Sequence, residues 1–204
     1  MKPLLFAPAT FNLAETTRMV EIAKACRDRF PILFLSHGGE FEKLVREAGF
    51  EVRSVAPQWT PEKIEHLYRV DRGEANPPFF SDAETDACIE SEAALYREVE
   101  PRCVVTGFCL AVPVSTRQVG VPLVWVIGAC WLSAYFKAGL GTWPDMLDFP
   151  LLRWIPDSLL DWLANKTTPQ MTRYFLGEFH RAARRHGVAP FRGTEYWEGD
   201  YSLL

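Results

Sequence analysis

The chain has 204 residues, enough for one sizeable α/β domain with its own core and too few for two of ordinary size. Nearly half of them are apolar and the net charge is only −4, the profile of a soluble globular protein without a basic field for nucleic acid. The basic residues that do cluster, Arg181, Arg184 and Arg185, fall in a mixed-charge helical stretch and read as a solvated face.

Leu4 to Ala7 is a short apolar strand. It breaks into the turn Pro8-Ala9-Thr10-Phe11-Asn12 and then into a helix whose Met19, Ile22, Ala23 and Cys26 recur at helical spacing. No glycine occurs between Leu4 and Cys26. Ile32 to Ser36 is a second strand, followed by a helical stripe of Phe41, Leu44, Val45 and Ala48 that Gly49 ends, and by a third strand over Phe50 to Val55. From Ala56 to Phe80 the text is irregular, with Pro57, Pro61, Pro77 and Pro78 and a short helical piece around Pro61 to Tyr68. Ser81-Asp82-Ala83-Glu84 spells a capping box, opening a helix to about Val99. Cys103 to Thr106 and Val121 to Ile127 are the fourth and fifth strands. This alternation predicts an α/β fold, an open Rossmann-like parallel sheet with helices on both faces.

Gln118 to Phe136 carries no formal charge over 19 residues, about the length of a bilayer span. Gly120, Pro122 and Gly128 interrupt it, and the dense β-branched run Val121 to Ile127 reads instead as a strand buried on both faces, so no stable membrane span is expected. Residues 128–155 lack a clear period and read as a second large loop region. Thr168 as N-cap and Pro169 at the first helical position predict a last helix with Met171, Phe175, Phe179 and Ala182 on one face, ending near Gly187. Tyr201 to Leu204 reads as a strand just beginning. Five scattered cysteines, odd in number and without a C-x-x-C pair, read as buried free thiols of a reducing compartment, and residues 1–7 are too short for a secretory signal. A cytoplasmic location is expected.

Several common chemistries lack their motifs. There is no G-x-G-x-x-G after the first strand, no G-x-x-x-x-G-K-[ST] and no G-x-S-x-G; His37, His66, His180 and His186 have no metal-ligand spacing, and no metal site is expected. In open parallel sheets ligands bind beyond the carboxyl ends of the strands. Those ends are Pro8 to Glu15, His37 to Glu40, Thr106 to Cys109 and Gly128 to Trp131.

Two blocks, AETTRMVEIAKACRDRFPILFLSHGGEFEKLVREAGFEVRSVAP and EVEPRCVVTGFCLAVPVSTRQVGVPLVWV, with RAARRHGVAP near the end, resemble in order the amino-terminal half of GT-B glycosyltransferases that use nucleotide sugars. The resemblance covers nearly the whole chain. It implies one half of a GT-B fold, a single acceptor-binding domain over residues 1–204. The family's nucleotide-sugar donor sits on a carboxy-terminal domain with no counterpart here, so no cofactor is expected on this chain and a separate donor-binding subunit is a possible partner. The resemblance also places the family's general-base histidine at Glu15 and its orienting aspartate at Gly107.

Both members of that dyad are thus replaced together. A histidine base needs a carboxylate to fix its tautomer, whereas a glutamate base does not and would be hindered by a second negative charge. Glu15 is accordingly the candidate catalytic base. Asn12 followed by Glu15 is equally the spelling of an N-cap and its reciprocal partner at the third helical position, and the two roles compete for the same oxygens. Thr10, Phe11, Asn12, His37, Phe108, Cys109 and Trp131 are the candidate acceptor-binding residues, their apolar and aromatic character suiting a lipophilic small molecule. Phe149 to Leu163, rich in Trp and Leu with few cations, reads as an acceptor lid or a docking surface in preference to a membrane-surface helix. The function expected is sugar transfer to a hydroxyl of a lipophilic acceptor, inactive without a donor domain; the alternative is a noncatalytic binding or scaffold subunit.

Overall fold

The computed structural model describes residues 1–144, 149–198 and 201–203. Six strands, β1 (Leu4–Ala7), β2 (Ile32–Ser36), β3 (Glu51–Ser54), β4 (Cys103–Thr106), β5 (Leu123–Val126) and β6 (Tyr201–Leu203), form one sheet in the order β3-β2-β1-β4-β5-β6. Every neighbouring pair is parallel, with Leu5 in register with Leu33 on one side and Val104 on the other. The chain builds outward from β1 to β3 and then crosses to β4. The carboxyl ends of β1 and β4 therefore lead away from each other, and a crevice opens between the turns that follow them.

Alternation along each strand supplies two cores. Leu4, Phe6, Phe34 and Val105 pack on Met19, Val20 and Ala23 of α1 (Leu13–Cys26) and Val45 of α2 (Glu42–Glu47). Leu5, Ala7, Leu35, Val104 and Trp125 pack on the other side against Cys88, Ile89 and Tyr96 of α4 (Asp82–Val99), Val112 and Val114 of α5 (Val112–Val119), and Phe179 and Ala182 of α8 (Gly177–Arg185). Burial on both faces is why β1, β2, β4 and β5 read as largely apolar runs. Phe6 and Phe34 stack at 5.2 Å with no exposure, each contributing about 2–3 kcal/mol by burial.

Local chemistry sets the helix starts. Ser81 Oγ accepts from the Glu84 amide at 3.2 Å while Glu84 Oε2 accepts from the Ser81 amide at 2.7 Å, the reciprocal cap expected for α4. Thr60 caps α3 (Pro61–Asp71), which runs three residues beyond the expected Tyr68. The arginine cluster of α8 is paired with α4: Arg181 with Asp82 at 2.9 Å, Arg185 with Asp86 at 2.8 Å.

Four expectations are corrected. Thr168 and Pro169 do not start a helix; they lie inside α7 (Asp157–Phe175), which begins directly after Pro156. Pro169 removes one intrahelical N–H, yet α7, which packs on α6 (Ser133–Lys137) and on the 3₁₀ turn Gly193–Trp197, continues through it. The expected last helix is broken at Leu176 (φ −112°, ψ 25°) into α7 and α8. Residues 128–155 contain the 3₁₀ turns Ala129–Trp131 and Pro150–Trp154 besides α6. Of the five cysteines, all free, only Cys88 is fully buried and Cys130 is exposed. The side chains of Leu151 and Met171 and the whole of Leu204 lie outside the described residues. No described helix is long and apolar enough to cross a membrane.

Candidate functional site

The turn after β1 owes its shape to the turn after β2. Thr10 Oγ1 donates to the Gly38 carbonyl at 2.9 Å and lies 2.9 Å from Ser36 Oγ, which in turn accepts from the Gly38 amide at 3.0 Å. The Thr10 carbonyl accepts from the Phe41 amide at 3.1 Å. Gly39, at φ +146°, presses on the first turn so closely that a Cβ there would sit 2.5 Å from the Phe11 amide nitrogen. The glycine absent from the first turn is supplied by its neighbour.

Asn12 caps α1, its Oδ1 accepting from the Glu15 amide at 3.1 Å. The Glu15 carboxylate does not reach back to Asn12. It crosses the crevice, where Oε1 accepts from the Phe108 amide at 2.7 Å and from the Gly107 amide at 3.2 Å. Glu15 is 5% exposed, and burial raises its pKa to about 7, against the partial counter-effect of the Ala9, Phe108 and Gly107 amides and the Arg18 charge. The Ala9 amide favours the ionised form without completing a hydrogen bond to Oε2, which is buried and unpartnered.

Beside this carboxylate a narrow cavity of about 40 Å³, room for about three water molecules, opens at the carboxyl edge of the sheet. Thr10, Phe11, Asn12, His37, Phe108 and Cys109 line it. Its other wall is aromatic and comes from the loop and helices beyond β3: Trp59, Tyr68, Phe79 and Phe80. Trp59 stacks on the His37 ring at 5.0 Å and meets Phe80 at 5.0 Å, and Tyr68 donates from its hydroxyl to the Phe11 carbonyl at 2.6 Å. Among the expected residues Glu15 stands next to the cavity without lining it. Trp131 is outside it, 41% exposed and set against Phe108 and Trp197 at ring distances of 6.4 and 5.3 Å.

His37 is buried, not a solvated loop residue. Its Nδ1 lies 2.9 Å from the Pro57 carbonyl, which can only accept, so Nδ1 carries a hydrogen; its Nε2 is 3.0 Å from Glu92 Oε1. Glu92 is fully buried on α4, with Oε2 accepting from Ser115 Oγ at 2.5 Å and Oε1 taking a Cys109 thiol contact at 3.6 Å. Burial and then the Glu92 charge push the Cys109 thiol well up. Glu92 is a residue that sequence reasoning missed. Its signal was a carboxylate amid the buried positions Thr85, Cys88, Ile89, Ala93 and Tyr96 of one helix face, a place where a charge demands a partner.

The strand order, the helices on both faces and the crevice at the crossover define a Rossmann-like α/β fold, that of one half of a GT-B glycosyltransferase. Among solved structures the chain is similar to the glycosyltransferase SnogD from Streptomyces nogalater, with 16% identity, a TM-score of 0.56, and coverage of 100% of this chain and 43% of that one. It is also similar to the spinosyn forosaminyltransferase SpnP, with 16% identity, a TM-score of 0.53, and coverage of 98% and 45%. The chain thus spans less than half the length of these structures. No protein-family model and no curated protein matches it.

Proposed function

We propose that residues 1–204 are a single acceptor-binding domain, the amino-terminal half of a glycosyltransferase that passes a sugar from a nucleotide-sugar donor to a hydroxyl of a lipophilic acceptor. The observation that carries this reading is the aromatic cavity at the strand ends with Glu15 beside it. A carboxyl group with a pKa of about 7 is suited to accept a proton from an alcohol near neutral pH, and Oε2 has no hydrogen bond to give up first. Acceptor binding requires the aromatic wall to move outward, since the space of about 40 Å³ is far below the several hundred Å³ of a drug-sized pocket. The donor belongs to another domain or subunit.

The test has two parts. Lipophilic alcohols should quench the fluorescence of Trp59, identified by comparison with Trp59→Phe, while nucleotide sugars leave it unchanged. The chain alone should transfer no sugar from a panel of nucleotide sugars; turnover by these 204 residues would refute the need for a donor half. A noncatalytic scaffold is the second reading, favoured by the seclusion of Glu15 from the cavity. It predicts that Glu15→Gln leaves turnover intact in an assembly supplied with a donor-binding partner.

A further inference from the structure

His37, Glu92 and Cys109 come from the end of β2, the middle of α4 and the turn after β4, positions far apart in the chain, and no short spacing in the sequence links them. The structure brings one imidazole nitrogen, one carboxylate oxygen and one sulfur to within 4.8 Å of one another. Two of the separations are 3.0 Å, from Nε2 to Oε1, and 3.6 Å, from Sγ to Oε1. Around a tetrahedral zinc ion with bonds of about 2.0–2.3 Å, ligand atoms stand about 3.3–3.8 Å apart, so modest side-chain movements complete the geometry.

We propose that these three side chains form a binding site for one divalent transition-metal ion of the zinc type, with a fourth coordination position facing the cavity that all three line. The inference goes beyond the acceptor reading and does not depend on it.

The surroundings are those a metal site needs. Ligating histidines donate their other ring N–H to a fixed acceptor, and here Nδ1 has the Pro57 carbonyl while the Trp59 ring stacks on the imidazole. The second carboxylate oxygen of Glu92 is held by Ser115. The donor set suits a dication in a buried place: one carboxylate and one thiolate neutralise its two positive charges, and the neutral imidazole adds none. The set of N, O and S donors selects zinc-like ions over magnesium or calcium, which prefer oxygen alone.

Titration of the metal-free full chain with cobalt(II) and with zinc tests this. Cobalt should bind one ion per chain, with visible bands of tetrahedral coordination and a near-ultraviolet sulfur-to-cobalt charge-transfer band. Zinc binding should release protons, since the ligands bind metal in their deprotonated forms, read by calorimetry in buffers of different ionisation enthalpy. Cys109→Ser should lose the charge-transfer band, and His37→Ala, which removes a ligand, should weaken zinc binding by more than the roughly 10–100-fold typical of losing an outer-shell partner. Cys88 also lines the cavity, and Cys88→Ser should retain the band. No charge-transfer band in the wild-type chain at saturating cobalt overturns the proposal without any variant. So does a band that survives in Cys109→Ser or disappears in a folded Cys88→Ser chain.

Discussion

The Glu15 carboxylate occupies the space that a side chain at position 107 would need. A Cβ on Gly107 would stand 3.1 Å from both Cγ and Oε1 of Glu15 and 3.1 Å from Met19 Cε, while the Gly107 amide donates to the same Oε1 at 3.2 Å. The two positions that the family resemblance pairs as histidine and aspartate are therefore one steric and electrostatic unit here. A side chain at 107 and a glutamate at 15 that crosses the crevice compete for the same space.

A double-mutant cycle should expose this coupling. Gly107→Asp alone drives a second carboxylate into a filled, buried space and should cost on the order of 3 kcal/mol. Gly107→Asp with Glu15→His should cost less than the sum of the single changes, by at least ~1 kcal/mol in urea denaturation. Strict additivity would show that the two positions are independent.

Glu15 should also make stability depend on pH. Its pKa is 4.5 for the free side chain and about 7 in the folded chain. Between these values the unfolded chain has released the proton and the folded chain keeps it, so stability falls as pH rises from 4.5 to about 7 and then levels. The gap corresponds to at most about 3 kcal/mol. Glu15→Gln should remove this slope, so the difference between wild type and variant should change across that window. A constant difference between pH 4 and pH 8 would contradict the raised pKa.

Glu178 offers a separate test of a buried carboxylate. It is 1% exposed on α8, and its Oε1 accepts from the Phe79 amide at 2.9 Å, tying the cavity wall to the helix; burial raises its pKa. Glu178→Ala leaves that buried N–H without its acceptor and should cost about 1–3 kcal/mol. Glu178→Gln keeps an acceptor and should cost less than about 1 kcal/mol. Equal losses for the two variants would show that the hydrogen bond contributes little.

Much of the fold was legible because strand and helix periods are local. β1, β2 and β4 fall where the apolar runs put them, whereas Phe50, Val55, Val121 and Ile127 made two runs look longer than their hydrogen-bonded strands. Pro169 misled because proline is an ordinary first helical residue; only packing partners reveal that a helix continues through it. The site was half legible for a similar reason. Strand-end turns announced Thr10, Phe11, Asn12, His37, Phe108 and Cys109 as neighbours of one crevice. Trp59, Tyr68, Phe79, Phe80 and Glu92 reach the same place by long-range packing, which no period encodes.

Two glycines of positive φ separate conformation from contact. Gly49→Ala meets nothing within 4 Å and should cost about 1 kcal/mol for its φ of +84° alone. Gly39→Ala meets backbone atoms of Thr10 and Phe11 at 2.5–2.6 Å and should cost on the order of 3 kcal/mol or more. Similar midpoints in thermal or urea unfolding would mean that the two turns can part without loss.

That close approach sets a limit on how the molecule can diverge. Thr10 and Phe11 line the cavity, yet the backbone of another loop, 28 to 29 residues away along the chain, dictates where they stand. Remodelling the first loop for a different ligand therefore requires a matching edit in the second. Descendants of this chain with altered recognition should carry their changes in such pairs, and a library that randomises either loop alone should return mostly misfolded proteins.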